Sequence, residues 1–570
     1  MVKSFSVWLF LFSISFANGQ IKVETFRFAA SSGDTLEQHV YFPNSNTLAS
    51  FPVVLIRTPY GKDQYRHDGF FFASQGYVTV IQDTRGKFGS SGHFIPFIYE
   101  TSDGLATLNW LQQQSWCDGN VGIYGISYSG FCGLTLADEM HPVLKTLINF
   151  SGWVEPEIMA APGGSQHLML NIPWLLHEET QTRRDLEEYD IDSLFWHLPI
   201  AETFSHIGIK SDAWEDPDLL GTVNQDFKYD RVNIPILHLT GAYDFVKEGT
   251  LGAYSKIAAY SNSQQKLIFG PWFHNQSHTS LTEVGEIDFG PNSIMGDDKV
   301  LDIAIQWFDE HLKRKKEEPT LPQTNVFLMF DNNWYEFDQW PSSDMNPTVF
   351  YLNSKKGANS IYGDGQLNLN PSDGNIKDEF IYHPDKPVPT CGGANFHFLP
   401  QQLGIKDQSI IEERKDVLVY TSSPFSSPQA VMGGVTVRLY ASSSAPDTDF
   451  TAKLVLVTPE GMAMNIVDGI VRARHRHSIK KHDLLIPNKV YSFEIDLGST
   501  AFLIPQGYQL RLEISSSNFP KFSRNTNTKE DPFYSSFFKS ATQKIYHSLD
   551  YPSQLILHTM PFEKLITINK

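Results

Sequence analysis

The stretch Val121-Gly122-Ile123-Tyr124-Gly125-Ile126-Ser127-Tyr128-Ser129-Gly130 reads as an apolar strand running into a serine bracketed by glycines. A turn of this kind, from strand into helix, strains the serine backbone and exposes its hydroxyl. Glycines are needed on either side because neighbouring β-carbons would keep the strand and the helix apart. By itself the pattern arises by chance about 0.2 times in a chain of this composition, so the surrounding sequence decides its meaning.

From residue 20 to about 150, short β-branched runs alternate with helical stretches: Phe51-Pro52-Val53-Val54-Leu55-Ile56, Tyr77-Val78-Thr79-Val80-Ile81, then Gly104-Leu105-Ala106-Thr107-Leu108-Asn109-Trp110-Leu111. Continuous apolar strands separated by amphipathic helices indicate a doubly wound α/β domain, its parallel sheet covered on both faces. The alternation pauses near 152 and resumes at Ile234-Pro235-Ile236-Leu237-His238-Leu239 and Lys266-Leu267-Ile268-Phe269. Residues 20–152 and 233–313 are therefore expected to form one domain, with 153–232 inserted as a helical cap. The insertion carries Trp153, Trp174, Trp196 and Trp214, which either roof a cleft or pack the cap itself. An amphipathic helix from Val300 to Lys313 closes the domain, and the charged, proline-containing linker Arg314 to Pro322 marks its end. Beyond it, short alternating strands such as Val435-Thr436-Val437-Arg438-Leu439-Tyr440 indicate a β-sandwich over 323–570.

Bulk properties narrow the partners. A chain of 570 residues exceeds one hydrophobic core. Its net charge of -19 opposes polyphosphate, and the basic run Lys313-Arg314-Lys315-Lys316 is followed at once by Glu317-Glu318, so no nucleic acid is expected. Lys3, the apolar stretch Phe5 to Phe16 and Ala17-Asn18-Gly19 have the form of a secretory signal over 1–19, too short to anchor in a bilayer. Cleavage before Gln20 and a secreted or periplasmic location follow. The three cysteines, Cys117, Cys132 and Cys391, are read as free thiols.

A serine hydroxyl attacks well only when a base takes its proton, and a histidine serves well as that base only when a carboxylate fixes its tautomer. In a doubly wound hydrolase these groups follow successive strands in the order Ser, Asp, His. Here the run 234–239 leads to Thr240-Gly241-Ala242-Tyr243-Asp244, and 266–269 leads to Gly270-Pro271-Trp272-Phe273-His274. Asp244 is preferred to Asp230, which precedes its strand, and His274 to its neighbour His278. Oxyanion donors are expected from the Tyr128 amide and from the loop Arg57-Thr58-Pro59-Tyr60-Gly61-Lys62, where Tyr60 offers a phenol or serves only in packing. In Arg472-Ala473-Arg474-His475-Arg476-His477, strand alternation would place the histidines on one solvent-facing side. Neither metal-ligand spacing nor a phosphate-binding glycine loop stands out elsewhere, so no cofactor is expected.

Five segments then carry a resemblance to the X-prolyl dipeptidyl peptidase and cocaine esterase family of serine hydrolases. They are Arg57-Thr58-Pro59-Tyr60-Gly61, Asp83-Thr84-Arg85-Gly86 continuing to Gly89-Ser90-Ser91-Gly92, Gly125 to Gly130, Tyr243-Asp244, and Gly270 to His274. Ala445 to Phe450 and Asp468 to Arg474 are similar to the family's C-terminal jelly roll. The resemblance implies an α/β-hydrolase fold with a jelly-roll domain, Ser127 as nucleophile, Asp244 as acid, His274 as base, and the Tyr60 hydroxyl with the Tyr128 amide as oxyanion hole. It also implies a small ester or short peptide as substrate.

Amino-acid ester hydrolases of this family carry extra carboxylates just after the catalytic aspartate, where this chain has Phe245, Val246 and Lys247, with Glu248 beyond. Glu178, Glu179, Glu187 and Glu188 of the insertion are read as a solvated helix face. The leading expectation is a secreted serine hydrolase cleaving carboxylic esters or amides through an acyl-enzyme. The alternatives are release of X-Pro dipeptides and a non-catalytic glycan-binding protein. Acyl preference and oligomeric state are not specified by the sequence.

Overall fold

The computed structural model describes residues 21–569 apart from 31, 45–49, 181–187, 217–218, 316–320, 356, 373, 375–376 and 397–402. The expected signal over 1–19 and Glu187 lie outside the described residues.

The first sheet contains β1 (Lys22–Ala29), β2 (Thr35–Phe42), β3 (Phe51–Thr58), β4 (Val78–Asp83), β5 (Cys117–Ile126), β6 (Leu144–Phe150), β7 (Ile236–Tyr243) and β8 (Gln265–Phe273). After the short ribbon of β9 (Glu283–Val284) and β10 (Ile287–Asp288), β11 (Thr324–Leu328) and β12 (Asn333–Phe337) complete it. The spatial order is β1-β2-β4-β3-β5-β6-β7-β8-β11-β12. Strands β4 through β11 of that order run parallel, and β1, β2 and β12 pair antiparallel at the edges. From β3 the chain passes outward to β4 and then returns to the other side of β3 as β5. Such a reversal opens a crevice at the carboxyl ends of the strands.

Helices cover both faces, as a buried parallel sheet requires. In chain order α1 (Arg66–Ser74), α2 (Glu100–Gln112) and α3 (Tyr128–Leu134) precede the insertion, which holds α4 (Pro156–Ala160), α5 (Leu168–Thr180), α6 (Ile191–Trp196), α7 (Thr203–His206) and α8 (Asp212–Glu215); α9 (Lys247–Tyr260) and α10 (Gly296–Leu312) follow it. Leu108, Leu111, Leu134, Ala253 and Ile257 of α2, α3 and α9 pack on one side. Phe72, Val300, Ala304, Trp307 and Phe308 of α1 and α10 pack on the other.

Strands β11 and β12 lie beyond the linker at 314–322, where the sandwich was expected to begin, yet they extend the first sheet. The second β domain starts with β13 (Asn346–Asn353), followed by β14 (Gln366–Asn368), β15 (Lys377–Tyr382), β16 (Leu418–Ser422), β17 (Gln429–Ser443), β18 (Asp449–Val457), β19 (Ala463–Arg472), β20 (Tyr491–Ile504), β21 (Gln509–Ser515), β22 (Ala541–Tyr546) and β23 (Gln554–Pro561). The long strand β17 is its fork: β20 pairs along one edge, and β23 and β22 share the other. One buried cluster runs from Tyr243, Leu251 and Phe269 of the first domain to Val437, Leu439 and Phe502 of the second, so the two pack as one core. The cap closes on the second domain as well, with Trp214 against Phe533 at 5.6 Å between ring centres.

The segment Arg472 to His477 differs from its expected strand. β19 ends at Arg472, and Ala473–His475 form a 3-10 turn. Buried Arg472 meets Asp449 at 2.9 and 3.0 Å, and Arg474 meets Asp447 at 2.8 Å. His475 is half-buried beside His482 while His477 is exposed, so the histidines share no strand face. Among the described residues no group of three or more His, Cys, Asp or Glu could hold a metal ion. Cys117, Cys132 and Cys391 are free thiols.

Candidate active site

Ser127 sits at the turn from β5 into α3 with φ 58° and ψ −121°, a conformation that costs on the order of 1–3 kcal/mol and persists only when its surroundings enforce it. The enforcement is visible. The Ser127 amide donates to the Phe150 carbonyl at 2.8 Å, and the Phe131 amide donates to the Ser127 carbonyl at 3.0 Å. A β-carbon at Gly125 would strike the Ser129 carbonyl, and one at Gly130 would lie 2.7 Å from Asn149 Oδ1.

His274 follows β8 and brings Nε2 to 2.9 Å from Ser127 Oγ. Its Nδ1 lies 2.9 and 3.0 Å from the two oxygens of Asp244, at the end of β7. These partners fix the tautomer: Nδ1–H donates to the carboxylate, and Nε2 is left to accept from the serine hydroxyl. Asp244 also accepts from the Val246 amide at 3.0 Å and from the Ser151 hydroxyl at 2.6 Å. Ser151, after β6, was not singled out in the sequence, where a serine at a strand end carries no distinguishing mark. The rejected candidates lie elsewhere, His278 paired with Asp297 at 3.1 Å and Asp230 exposed in the turn Tyr229–Arg231.

Both expected oxyanion donors flank the serine. The Trp174 indole donates to the Tyr60 hydroxyl at 3.3 Å, and Ser127 is a further hydrogen-bonding neighbour of that hydroxyl. Burial, reinforced by Glu178, raises the Tyr60 phenol well above its ordinary pKa, which keeps it a donor. Tyr128 opens α3, so its amide is one of the N–H groups that a helix leaves without an internal partner. Its ring stacks on Phe97 at 4.9 Å, and its hydroxyl accepts from the Phe97 amide at 2.8 Å while donating to Glu100 at 2.9 Å.

Ser127 and His274 open into a cavity of about 500 Å³ walled by Tyr60, Tyr65, Phe88, Trp174 and Phe396, the last contributed by the second domain. Trp174, His177 and Glu178, at i, i+3 and i+4 of α5, present one helix face to it. The four insertion tryptophans thus divide: Trp174 walls the cavity, Trp153 packs behind it on Phe97 and Phe131, Trp214 fills the cap core, and Trp196 lies over Phe519.

Glu178 departs from the expected solvated face. It is 4% exposed and pairs with Lys87 at 2.8 Å, a residue 91 positions earlier in the chain. Glu179 is partly buried and Glu188 exposed. After Asp244, Phe245 packs on His274 at 4.5 Å, Lys247 donates to the Ala242 carbonyl at 2.8 Å, and Glu248 accepts from the Ser499 amide at 2.6 Å.

Comparison with known proteins supplies the family. Residues 32–276 match the X-Pro dipeptidyl-peptidase (S15) family, and residues 319–556 match the X-Pro dipeptidyl-peptidase C-terminal non-catalytic domain. Cocaine esterase of Rhodococcus sp. (strain MB1 Bresler) is 30% identical over 92% of this chain and 96% of its own length. An aminopeptidase from the marine sediment archaeon Thaumarchaeota archaeon superposes with a TM-score of 0.82 at 20% identity, covering 96% of this chain and 98% of that one. An α-amino acid ester hydrolase superposes with a TM-score of 0.79 at 21% identity, covering 97% of this chain and 100% of that one. Those two likenesses are of fold: an α/β-hydrolase domain with a C-terminal β domain.

Proposed function

Because the chain belongs to the X-Pro dipeptidyl-peptidase (S15) family of serine hydrolases, we propose that it cleaves carboxylic esters through an acyl-enzyme on Ser127. One observation carries this reading: the unbroken run of hydrogen bonds from Ser127 Oγ through His274 to Asp244. As Oγ attacks the acyl carbon, its proton passes to His274 Nε2, and the carboxylate of Asp244 stabilises the imidazolium that forms. The Tyr60 hydroxyl and the Tyr128 amide receive the oxyanion. Collapse expels the alcohol, which takes the proton from Nε2. Water activated by the same nitrogen then attacks the acyl carbon, releases the acid and returns the proton to Ser127.

A fluorophosphonate is expected to label the wild type and to leave Ser127→Ala unlabelled; equal labelling defeats the proposal. The non-catalytic reading predicts neither labelling nor turnover. Release of X-Pro dipeptides is the second reading, and the Glu178 carboxylate beside the cavity favours it as a partner for a substrate ammonium. Against it stands Lys87, which already occupies that carboxylate. Parallel assays with an aryl acetate, a benzoyl ester and a dipeptidyl-proline amide separate the two, and faster turnover of the esters is expected. Export belongs to the same proposal, on the strength of the pattern over 1–19, and secreted material is expected to begin at Gln20.

A further inference from the structure

We propose that Lys87 sets the substrate preference of this cavity by cancelling the charge of Glu178, so that the site takes acyl and alkoxy groups that carry no positive charge. The inference rests on the hydrolase reading above and narrows its substrate class.

Lys87 and Glu178 both line the cavity that holds Ser127 and His274, and both side chains are buried. Lys87 Nζ is 2.8 Å from Glu178 Oε2, donates at 2.6 Å to the carbonyl of the same residue, and sits 4.5 Å from the centre of the Phe94 ring. The ammonium is thus held by a carboxylate, a carbonyl at the end of α5 and an aromatic face. A substrate cation reaching Glu178 would have to displace it, or share one carboxylate with it at like-charge cost in a poorly solvated space. Apart from this pair, the titratable side chains among the described lining residues are Tyr60, Tyr65, His177 and His274, none of which carries a fixed negative charge at neutral pH. The remaining walls are mostly apolar, with Phe88, Ile126, Trp174 and Phe396 among them, and suit neutral acyl groups. Glu248, four positions after Asp244, does not line this cavity, and its carboxylate is committed to Ser499. Lys87 is accordingly a specificity-determining residue: it acts on which substrate enters and not on the proton transfers at Ser127.

The test uses two isosteric pairs that differ only in a quaternary nitrogen replaced by carbon. Acetylcholine and 3,3-dimethylbutyl acetate vary the alcohol; the benzyl esters of betaine and of 3,3-dimethylbutanoic acid vary the acyl group. The readout is the ratio of kcat/KM for the cationic member to that for the neutral one, which loss of overall activity alone does not move. Wild type is expected to favour the neutral member of each pair. Lys87→Met is expected to raise the ratio about tenfold in at least one pair, and Glu178→Gln, which leaves the lysine uncompensated, to lower it. A change smaller than threefold in both pairs for both variants, or a wild type that already favours the cations, overturns the proposal. Should Lys87→Met fail to fold, Glu178→Gln decides by the same threshold. Should wild type hydrolyse none of the four esters and neither the aryl acetate nor the benzoyl ester, the ester reading fails on its own account. Calorimetric binding of betaine amide and 3,3-dimethylbutanamide to the same proteins then decides the role of Lys87.

Discussion

The Tyr128 hydroxyl donates to Glu100 Oε1 at 2.9 Å, and the other oxygen of that carboxylate meets the Arg57 guanidinium at 3.0 Å. Arg57 also donates to the Glu100 carbonyl at 2.7 Å and to Gln82 at 3.0 Å, all of it buried. Arg57 stands three residues before Tyr60, so one carboxylate ties together the segments that carry both proposed oxyanion donors. Burial drives the Glu100 carboxyl upward while Arg57 and Tyr128 oppose the rise.

Tyr128→Phe removes the donor and keeps the ring, and is expected to cost about 1–3 kcal/mol of stability. Its kcat is expected to fall by roughly tenfold with KM little changed, since the role proposed for the amide that it positions is exercised only in the transition state. Glu100→Gln strands the arginine charge and is expected to cost about 3–5 kcal/mol. Chemical denaturation and steady-state kinetics on an aryl acetate measure both.

Tyr60→Phe deletes the hydroxyl proposed as an oxyanion donor and keeps the ring that walls the cavity. A drop of about 10²–10³ in kcat is expected, again with KM near wild type. A fall of less than threefold would assign Tyr60 to packing alone.

Asp244→Asn leaves the histidine in the wrong tautomer and is expected to reduce kcat by about 10⁴. Ser151→Ala removes one of the hydrogen bonds that aim the carboxylate, and a decrease of roughly three- to tenfold is expected. If the two effects act through the same carboxylate, the double variant is no slower than Asp244→Asn.

Far from the cavity, the Glu412 carboxyl is pushed up to about 7 by burial and by Glu513 beside it, against the pull of Arg511. An unfolded glutamate ionises near its ordinary value of 4.5, so between those two values folding must take up a proton. Stability therefore falls as pH rises through that window and levels above it. Glu412→Gln cannot ionise and escapes the loss. Its stability relative to wild type is expected to improve between pH 5 and 8 by on the order of 1–3 kcal/mol, measured by denaturant titration at each pH.

What the sequence made legible followed from local constraint. Gly125 and Gly130 announce the turn because no other residue fits there, and Asp244 and His274 end apolar runs at the edge where a doubly wound sheet gathers its chemistry. Distant partners were another matter. Glu178 looks solvated on a helical wheel because Lys87 lies far away in the chain. Strand alternation would set His475 and His477 on one outward face, but it says nothing of Asp449 and Asp447, the distant partners that hold Arg472 and Arg474 where the strand gives way to a turn. The alternation in β11 and β12 reveals strands correctly but is silent about which sheet has an open edge. Ser151 and Phe396 enter the site only through the tertiary fold.

Phe396 reaches from the second domain into the cavity, and its ring meets Phe245 at 5.3 Å while Phe245 leans on His274. The part of the chain that matches a C-terminal non-catalytic domain therefore furnishes part of the wall beside Ser127 and His274. On the proposed reading, exchanging that half between homologues retunes selectivity while Ser127, Asp244 and His274 stay in place, and an excised N-terminal half loses one side of the cavity.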